Sequence, residues 1–440
     1  MTPTATGAWR TRALRAAAAH WAEPLHRQSY FLLASTGVAA ATGLLFWILA
    51  ARRTEPAVLG LAAGMIAALG FLSYLTSFAL PYAMLRYGGS TQAVAGLVNS
   101  SAAVSAATSL LAAAVFAVLA GATGTMLAPL LRDPLDVLLF GLAGVGAATG
   151  LLLDNLVAAR QRADLALLRN TAAGLLKLFL LIPVGPHDPR GVYLALTLPG
   201  LITAVIGYAL LPRVIPGYRQ WDFTRTPLLR QAARFSLRTF AGSLLSGAPQ
   251  FALPLIAVVV LGPRGNAFFY VAWSIAQVVY LIPTVISNIT LSRGASTPTA
   301  TLIRRSLRFS LLLVGPFALA VTALAALTLQ LYGTEYADGA AGPLRLLGLA
   351  ALPWAVVIIV QAQLRIEHRY RALNLLTGCL CAVSLGVPVA LGTWFGAPGM
   401  AGGWLLSLSA IAALAWWLTG HAAAAARPIT QDEAAHVTPH

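Results

Sequence analysis

Residues 58–82 read VLGLAAGMIAALGFLSYLTSFALPY, a run of twenty-five residues without a charged side chain. A helix needs about 20 apolar residues to cross the hydrocarbon core of a bilayer, so this run is long enough to span a membrane. In the whole 440-residue chain, 58% of residues are hydrophobic and 10% are charged. In a soluble globular protein about a quarter of the residues are charged. The composition therefore predicts a polytopic helical membrane protein, and it excludes a soluble enzyme, a secreted disulfide scaffold and a disordered chain.

Twelve apolar runs of this kind are predicted to cross the membrane as helices, six on each side of a polar break. They lie at 29–51, 58–82, 93–120, 135–158, 165–184, 191–211, 238–261, 267–291, 307–331, 343–364, 372–392 and 400–421. The predicted fold class is therefore all-α, with about twelve transmembrane helices. The predicted domains are a basic amphipathic segment at 1–28, six-helix bundles at 29–211 and 238–421, a basic linker at 212–237 between the bundles, and a tail at 422–440.

Basic residues outnumber acidic ones by 29 to 13, which gives a net charge of +16. In a soluble chain such an excess would point to nucleic acid. In a membrane protein, arginine instead collects in cytoplasmic loops. With a cytoplasmic N-terminus, twenty-two of the 28 arginines fall in cytoplasmic segments and six in external ones. The sequence thus predicts that both termini and the linker are cytoplasmic, and it predicts no nucleic-acid partner.

The two halves of the chain resemble each other at a constant offset of 207 residues. Gly141-Leu142-Ala143 returns as Gly348-Leu349-Ala350, and Arg86 at the end of the second span returns as Arg293 at the end of the eighth. Because each half has six spans, the two halves have the same orientation in the membrane. Parallel repeats of this kind usually bind substrate in a central cavity and work by alternating access.

Three ionisable residues are predicted to lie inside spans, where a charge costs at least about 2.5 kcal/mol. Lys177 is expected near the middle of the fifth span, facing a water-filled cavity or a buried partner, and both a substrate-binding and a structural role stay open. Asp154 and Arg169 lie at similar depth on the antiparallel fourth and fifth spans. An ion pair that fixes these two spans is the preferred interpretation, and ion coupling by Asp154 is the alternative.

The seventh span contains GAPQFALP, in which Gln250 lies between Pro249 and Pro254. Proline removes a backbone hydrogen bond and bends a helix, so this segment is the best candidate for a hinge, with ordinary packing curvature as the alternative. The seven histidines and two cysteines show no metal-ligand spacing, so no metal site is predicted. No phosphate-binding GxxxxGK[ST] loop is present either, so ATP hydrolysis within this chain is not expected.

Three stretches resemble a known family: 55–87 (EPAVLGLAAGMIAALGFLSYLTSFALPYAMLRY), 151–181 (LLLDNLVAARQRADLALLRNTAAGLLKLFLL) and 331–353 (LYGTEYADGAAGPLRLLGLAALP). They are similar to the second span, to the fourth and fifth spans, and to the segment before the tenth span of bacterial polysaccharide-unit flippases. These flippases belong to the multidrug/oligosaccharidyl-lipid/polysaccharide exporter superfamily. The similarity lies in the residue pattern of these segments and in their order along the chain, without a catalytic signature.

The resemblance implies a transporter, not an enzyme, that flips a polyprenyl-pyrophosphate-linked oligosaccharide across the bacterial cytoplasmic membrane. Lys177, Arg86 and Arg293 are the expected cations for the pyrophosphate, since arginine and lysine replace phosphate hydration. No cofactor is expected, and coupling to an H⁺ or Na⁺ gradient or to the membrane potential would drive the process. The expected partners are the lipid-linked substrate, membrane lipids, and the polymerase and glycosyltransferases of the pathway, and the chain is expected to act as a monomer.

Three other functions stay open at this point. An ion-coupled multidrug or organic-cation antiporter would have the same fold but would favour an acidic cavity, whereas a single intramembrane acid is predicted. A membrane-embedded glycosyltransferase, polymerase or ligase would need an acidic or histidine-bearing external loop, and none is evident in the sequence. A non-transporting scaffold is the third alternative.

Overall fold

The computed structural model describes residues 24–89, 94–224, 227–293 and 299–425. Within these ranges the chain forms helices and no strand, in agreement with the predicted all-α class. Most of the predicted amphipathic N-terminal segment, up to residue 23, and the tail from residue 426 lie outside the described residues.

Fourteen α-helices and one short 3₁₀ turn at Ala128–Leu131 make up this described part of the chain. The first eight helices are α1 (Pro24–Arg53), α2 (Pro56–Thr76), α3 (Leu80–Tyr87), α4 (Val94–Thr123), α5 (Pro134–Ala159), α6 (Ala163–Leu180), α7 (Pro189–Ala209) and α8 (Leu211–Val214). The remaining six are α9 (Pro227–Arg293), α10 (Thr299–Ala323), α11 (Ala325–Gln330), α12 (Thr334–Leu349), α13 (Ala351–Ile366) and α14 (Tyr370–Ala425).

Nine helical stretches of the described residues are long and apolar enough to cross a membrane. Two of them, Pro227–Leu291 and Tyr370–Thr419, have 65 and 50 residues, which is enough for two crossings each. Each of these two is broken once, at Gly262 and at Gly396, where φ angles of 70° and 65° suit glycine. With α6, which is apolar apart from three charged residues, twelve crossing segments result, as predicted. The chain is a multi-pass membrane protein.

The chain divides into two compact units. The first unit runs to Tyr270 and includes Leu331–Gly333, and the second comprises Val271–Gln330 and the chain from Thr334 onward. The boundary falls inside α9, so the seventh crossing segment belongs to the first unit. This differs from the predicted boundary, which placed a linker at 212–237 and began the second bundle at residue 238.

The physical reason is that the predicted linker is part of the core of the first unit. Residues 227–237 are already the first three turns of α9. Ile215, Tyr218 and Ala232 are buried in one hydrophobic cluster with residues of α3, α4 and α5. The arginines of this stretch made it look like a solvated connection, although its apolar side chains are packed.

Helices α1 and α6 of the first unit pack side by side with a constant offset of 135 residues. Gln28 accepts a hydrogen bond from the backbone N–H of Ala163 (2.7 Å), and Ser35 accepts one from the amide of Asn170 (2.9 Å). The two contacts are seven residues apart on each helix. A seven-residue repeat keeps one face of each helix against its neighbour, as in a left-handed coiled coil.

The second unit has an aromatic centre. Trp404 donates a hydrogen bond from Nε1 to the hydroxyl of Tyr280 (3.2 Å), and that hydroxyl donates to the carbonyl oxygen of Leu347 (2.6 Å). The rings of Trp273 and Trp404 meet edge to face, with centroids 4.9 Å apart. These polar atoms satisfy one another, so the cluster serves packing.

Candidate functional site

The second crossing segment is interrupted between α2 and α3. Phe78 and Ala79 have φ angles of 46° and 57°, in the left-handed region that residues with a side chain rarely adopt. Pro81 lies in the first turn of α3, where the missing N–H of proline leaves no helical hydrogen bond unmade. Strained backbone of this kind costs about 1–3 kcal/mol per residue and is found most often at functional sites.

A cavity of about 470 Å³ in the first unit opens beside this interruption; we call it the Tyr74 cavity. Its polar lining residues are Ser73, Tyr74, Ser77, Tyr82, Ser105, Asn155 and Ser243. They come from α2, α3, α4, α5 and α9, so five helices and the break between α2 and α3 converge here. No lining residue carries a charge. The volume lies in the range of about 300–1,000 Å³ that is typical of ligand pockets.

An aromatic platform forms part of the wall of this cavity. The rings of Tyr74 and Phe251 are stacked with centroids 4.8 Å apart and an interplanar angle of 27°. The Tyr74 hydroxyl donates a hydrogen bond to the carbonyl oxygen of Ser243, which fixes the ring. Gly247, one helical turn along α9 from Ser243, leaves room for this ring, because a Cβ atom there would collide with the hydroxyl. The platform is therefore rigid before any ligand binds.

The hydroxyl oxygen of Ser73 is buried and has no hydrogen-bond partner among the described residues. An unsatisfied buried hydroxyl costs about 1–3 kcal/mol. Ser73 is also one of the lining residues of the Tyr74 cavity.

The ion pair between Asp154 and Arg169, expected from the sequence, is present. Arg169 donates from Nε to Oδ1 (3.0 Å) and from Nη2 to Oδ2 (2.6 Å) of Asp154. Asn170 donates to Asp154 Oδ2 (3.2 Å), and its amide also reaches Ser35 of α1. The carboxylate thus accepts three hydrogen bonds, and the network joins α5, α6 and α1.

The Asp154–Arg169 pair does not line the Tyr74 cavity. It lines a separate, mostly apolar cavity of about 200 Å³ between α5, α6 and α7. The next residue, Asn155, lines the Tyr74 cavity instead. The geometry therefore favours the structural role for Asp154 and Arg169 over ion coupling.

Lys177 lies in the last turn of α6. It is three residues from the helix end, or about 4.5 Å at 1.5 Å per residue. The sequence placed it near the middle of the span, because the predicted span continued to residue 184. Its Nζ atom lies about 4.0 Å from the position that a Cβ atom of Gly43 would take, so it rests against α1. No acidic side chain within the described ranges forms an ion pair with it.

Arg86 lies at the opposite end of the first unit from Lys177. It is exposed in the last turn of α3, and its guanidinium lies 4.9 Å from the ring centroid of Phe235 and 5.5 Å from that of Tyr87. The neighbouring Gly88 carbonyl accepts a hydrogen bond from Arg160, next to the start of α6. Lys177 lies 14 residues beyond the first residue of α6, which places it about 21 Å from that end of the helix. Arg293 ends α9, and its side chain lies outside the described residues.

The predicted hinge residues Pro249, Gln250 and Pro254 lie within α9. The only residue with non-helical dihedral angles described inside this helix is Gly262. The backbone of the first unit instead departs from helical geometry at Phe78 and Ala79. A hinge at 249–254 remains a prediction about motion, for which the backbone shows no pre-formed break.

The loops at the Arg86 end of the first unit contain charged groups whose pKa values are shifted by their surroundings. Partial burial lowers the pKa of Arg160, whereas the hydrogen bonds from Arg162 to Asp164 raise the pKa of Arg162. Asp222 accepts hydrogen bonds from the hydroxyl and the N–H of Thr224, which lower its pKa. These groups fix the loops beside α5 and α9.

Several polar groups were missed at the level of sequence. Ser73, Tyr74 and Asn155 are neutral and lie in apolar runs, so they gave no signal of charge or motif. Asp136 has a side chain that is 1% exposed and pairs with Arg190, whereas the side chain of Asp154 is 24% exposed. Asp136 lies in the first turn of α5, at the edge of the predicted span 135–158.

The fold defines a class: polytopic helical membrane proteins. The sequence matches no protein-family model and no curated protein. Among solved structures, the chain is similar to a multidrug resistance MATE family transporter of the MOP superfamily in an inward-facing conformation, with a TM-score of 0.68 and 13% identity over 91% of this chain and 99% of that one. It is also similar to the lipid II flippase MurJ in an inward closed conformation, with a TM-score of 0.71 and 11% identity over 88% and 87%.

A third similar structure is a MOP superfamily transporter from Pyrococcus furiosus, with a TM-score of 0.61 and 15% identity over 91% of this chain and 96% of that one. At these identities the likeness concerns the fold. This chain has the fold of the MOP-superfamily transporters, as its resemblance to a branch of that superfamily implied.

Proposed function

We propose that this protein flips a polyprenyl-pyrophosphate-linked oligosaccharide across the bacterial cytoplasmic membrane by alternating access, with both termini in the cytoplasm. The observation that carries the proposal is the neutral Tyr74 cavity, where hydroxyl and amide groups surround a stacked aromatic platform. Sugars present hydroxyl groups that donate and accept hydrogen bonds, and apolar C–H faces that pack on aromatic rings. A cavity without charge suits such a headgroup.

The three predicted phosphate cations then act at different stages, because Arg86 and Lys177 lie at opposite ends of the first unit. A pyrophosphate is far smaller than the separation of about 21 Å along α6. Arg86, exposed at the end that we assign to the cytoplasm, would receive the pyrophosphate first. Lys177 would meet it near the external side, and Arg293 would act in the second half of the chain. The polyprenyl tail would stay in the bilayer.

The MATE-like fold makes an organic-cation antiporter the second candidate. The stacked rings of Tyr74 and Phe251 could hold a cation through their π faces. However, the Tyr74 cavity lacks the acidic residue that would balance such a cation, and Asp154 is neutralised by Arg169. The lining therefore fits the uncharged sugar of the proposed substrate better than an organic cation.

The test uses vesicles that contain the purified protein and a fluorescent polyprenyl-pyrophosphate-linked disaccharide. Transfer between leaflets is followed by the access of an impermeant quencher. Ser73→Ala removes a hydroxyl that has no partner in the described structure, so the variant should fold at least as stably as the wild type, whereas transfer should slow about three- to tenfold, the worth of one hydrogen bond. Ser109→Ala is the matched control, because Ser109 is also buried and unpartnered in the described structure but lies outside the cavity.

Phe251→Ala should slow transfer further by removing half of the platform. Wild-type vesicles that exchange an organic cation for protons but do not transfer the lipid-linked sugar would establish the antiporter instead. Equal transfer by the wild type, Ser73→Ala and Phe251→Ala would remove the Tyr74 cavity from the mechanism.

A further inference from the structure

A second polar cavity lies in the second unit and takes no part in the proposed sugar site. It has a volume of about 590 Å³ and lies between the end of α9 and the start of α10; we call it the Arg304 cavity. Its polar lining residues are Thr290, Thr301, Arg304, Arg305, Ser306 and Arg308. Thr290 donates a hydrogen bond to Ser306 (2.7 Å), which ties the two helices together at this cavity.

The three arginines have no acidic partner among the described residues. All three are exposed in the second and third turns of α10. Arg304 and Arg308 are four residues apart, a spacing at which like charges repel. The arrangement is unfavourable for the protein alone and becomes favourable when an anion binds.

The same face of α10 changes from charged to apolar along the helix. Arg304, Arg305 and Arg308 are followed by Phe309 and Leu312, which line the same cavity and are 56% and 74% exposed. From Arg304 to Leu312 the rise is about 12 Å. Because α10 is one of the crossing helices, the arginines near its first residues lie at the level of lipid headgroups and Leu312 lies deeper. This order matches a lipid with a phosphate head and a long chain.

We propose that the Arg304 cavity binds an anionic phospholipid of the surrounding membrane. Its phosphate lies among the guanidinium groups of Arg304, Arg305 and Arg308, and one acyl chain lies along Phe309 and Leu312. Basic pockets between transmembrane helices bind the head groups of anionic lipids in this way. Bound lipid offsets the repulsion at the start of α10 and stabilises the contact between α9 and α10.

The experiment is native mass spectrometry of the purified full-length protein, titrated with dioleoyl phosphatidylglycerol or with dioleoyl phosphatidylcholine. The wild type should retain one phosphatidylglycerol with an affinity at least about tenfold higher, and up to about a hundredfold higher, than for phosphatidylcholine. The triple variant R304Q/R305Q/R308Q should lose most of this preference, since each cation contributes about fivefold at a membrane surface. Its matched control is R230Q/R234Q/R238Q, which removes the same charge from an exposed face of α9.

The proposal is overturned if phosphatidylcholine binds as well as phosphatidylglycerol, or if the α9 control loses as much affinity as the α10 variant. Inorganic pyrophosphate is the second probe. If it competes with phosphatidylglycerol at equal concentration, the cavity recognises a free phosphate and the lipid assignment fails. Should the triple variant not fold, R304Q and R305Q are measured singly. Each must weaken phosphatidylglycerol binding about threefold or more, and unchanged binding in both overturns the site.

Discussion

Asp154 and Arg169 form a residue pair for which the sequence allows two roles, ion coupling and helix packing. A lone acid in a crossing helix suggests ion coupling, yet this carboxylate accepts three hydrogen bonds from neighbouring helices. The predicted repeat offset carries Asp154 to Gln361 and Arg169 to Leu376, both of which are buried in the second unit. A neutral pair at the corresponding positions indicates that the charges serve the packing of the first unit rather than a step that both halves share.

Asp154→Asn should therefore destabilise the protein by about 2–4 kcal/mol, because it leaves a largely buried guanidinium without its counter-ion. The double variant Asp154→Leu with Arg169→Met should recover most of this loss, since an apolar pair of similar size often replaces a buried ion pair at little cost. Thermal unfolding in detergent measures both effects. If the pair is structural, the double variant keeps transport, and a stable but inactive double variant would establish ion coupling.

Lys177 differs from Asp154 and Arg169, because it has no ion pair within the described residues. Lys177→Met should leave the unfolding temperature unchanged or raise it, since removal of this charge leaves no acid unpaired. If Lys177 binds the pyrophosphate, the lipid-linked oligosaccharide should accumulate on the inner leaflet of cells that carry Lys177→Met at the normal protein level. Lys177→Arg, which keeps the charge, is the control. Normal export by the methionine variant would remove Lys177 from the substrate path.

At the scale of elements, the interruption between α2 and α3 shows which features of a helix a sequence pattern can predict and which it cannot. The apolar run 58–82 predicts one continuous span, and the span is there. Its break at Phe78 and Ala79 carries no glycine, and the nearby Pro81 does not by itself fix where a helix breaks. In α9 the two prolines of the predicted hinge lie in helical backbone, because proline removes only one hydrogen bond and neighbouring turns can absorb the bend, so the hinge stays a prediction.

Ala79→Gly should stabilise the protein by about 0.5–1 kcal/mol, because glycine adopts the left-handed conformation of residue 79 without the strain of a Cβ atom. Ala103, exposed in the middle of α4, provides the control. Ala103→Gly should cost about 1 kcal/mol, the usual penalty of glycine in a helix. Unfolding temperatures that move in opposite directions support the strain, and destabilisation by both substitutions argues against it.

At the scale of the whole molecule, the sequence was sufficient for the class of fold and insufficient for the site. Twelve crossing segments follow from apolar length alone, and the Asp154–Arg169 pair follows from equal depth on adjacent antiparallel helices. The Tyr74 cavity could not be predicted, because it depends on how five helices converge around neutral side chains. The packing of 212–237 could not be predicted for a related reason: its arginines are the conspicuous residues of this stretch, whereas Ile215, Tyr218 and Ala232 are the ones packed in the core of the first unit.

The orientation of the chain is the property of the whole molecule on which the proposed direction of transport depends. Positive charge in short loops is retained on the cytoplasmic side, and the twenty-two-to-six distribution of arginines predicts that both termini and the linker 212–237 lie on that side. His187 and Gln220 are both exposed, in loops that follow α6 and α8. They are suitable probe positions after Cys379 and Cys381 are replaced by serine. An impermeant maleimide added to intact cells should label His187→Cys and leave Gln220→Cys unmodified until the cells are opened. The opposite labelling pattern would place the termini outside, and Arg86 would then face the external leaflet instead of the cytoplasmic pool of substrate.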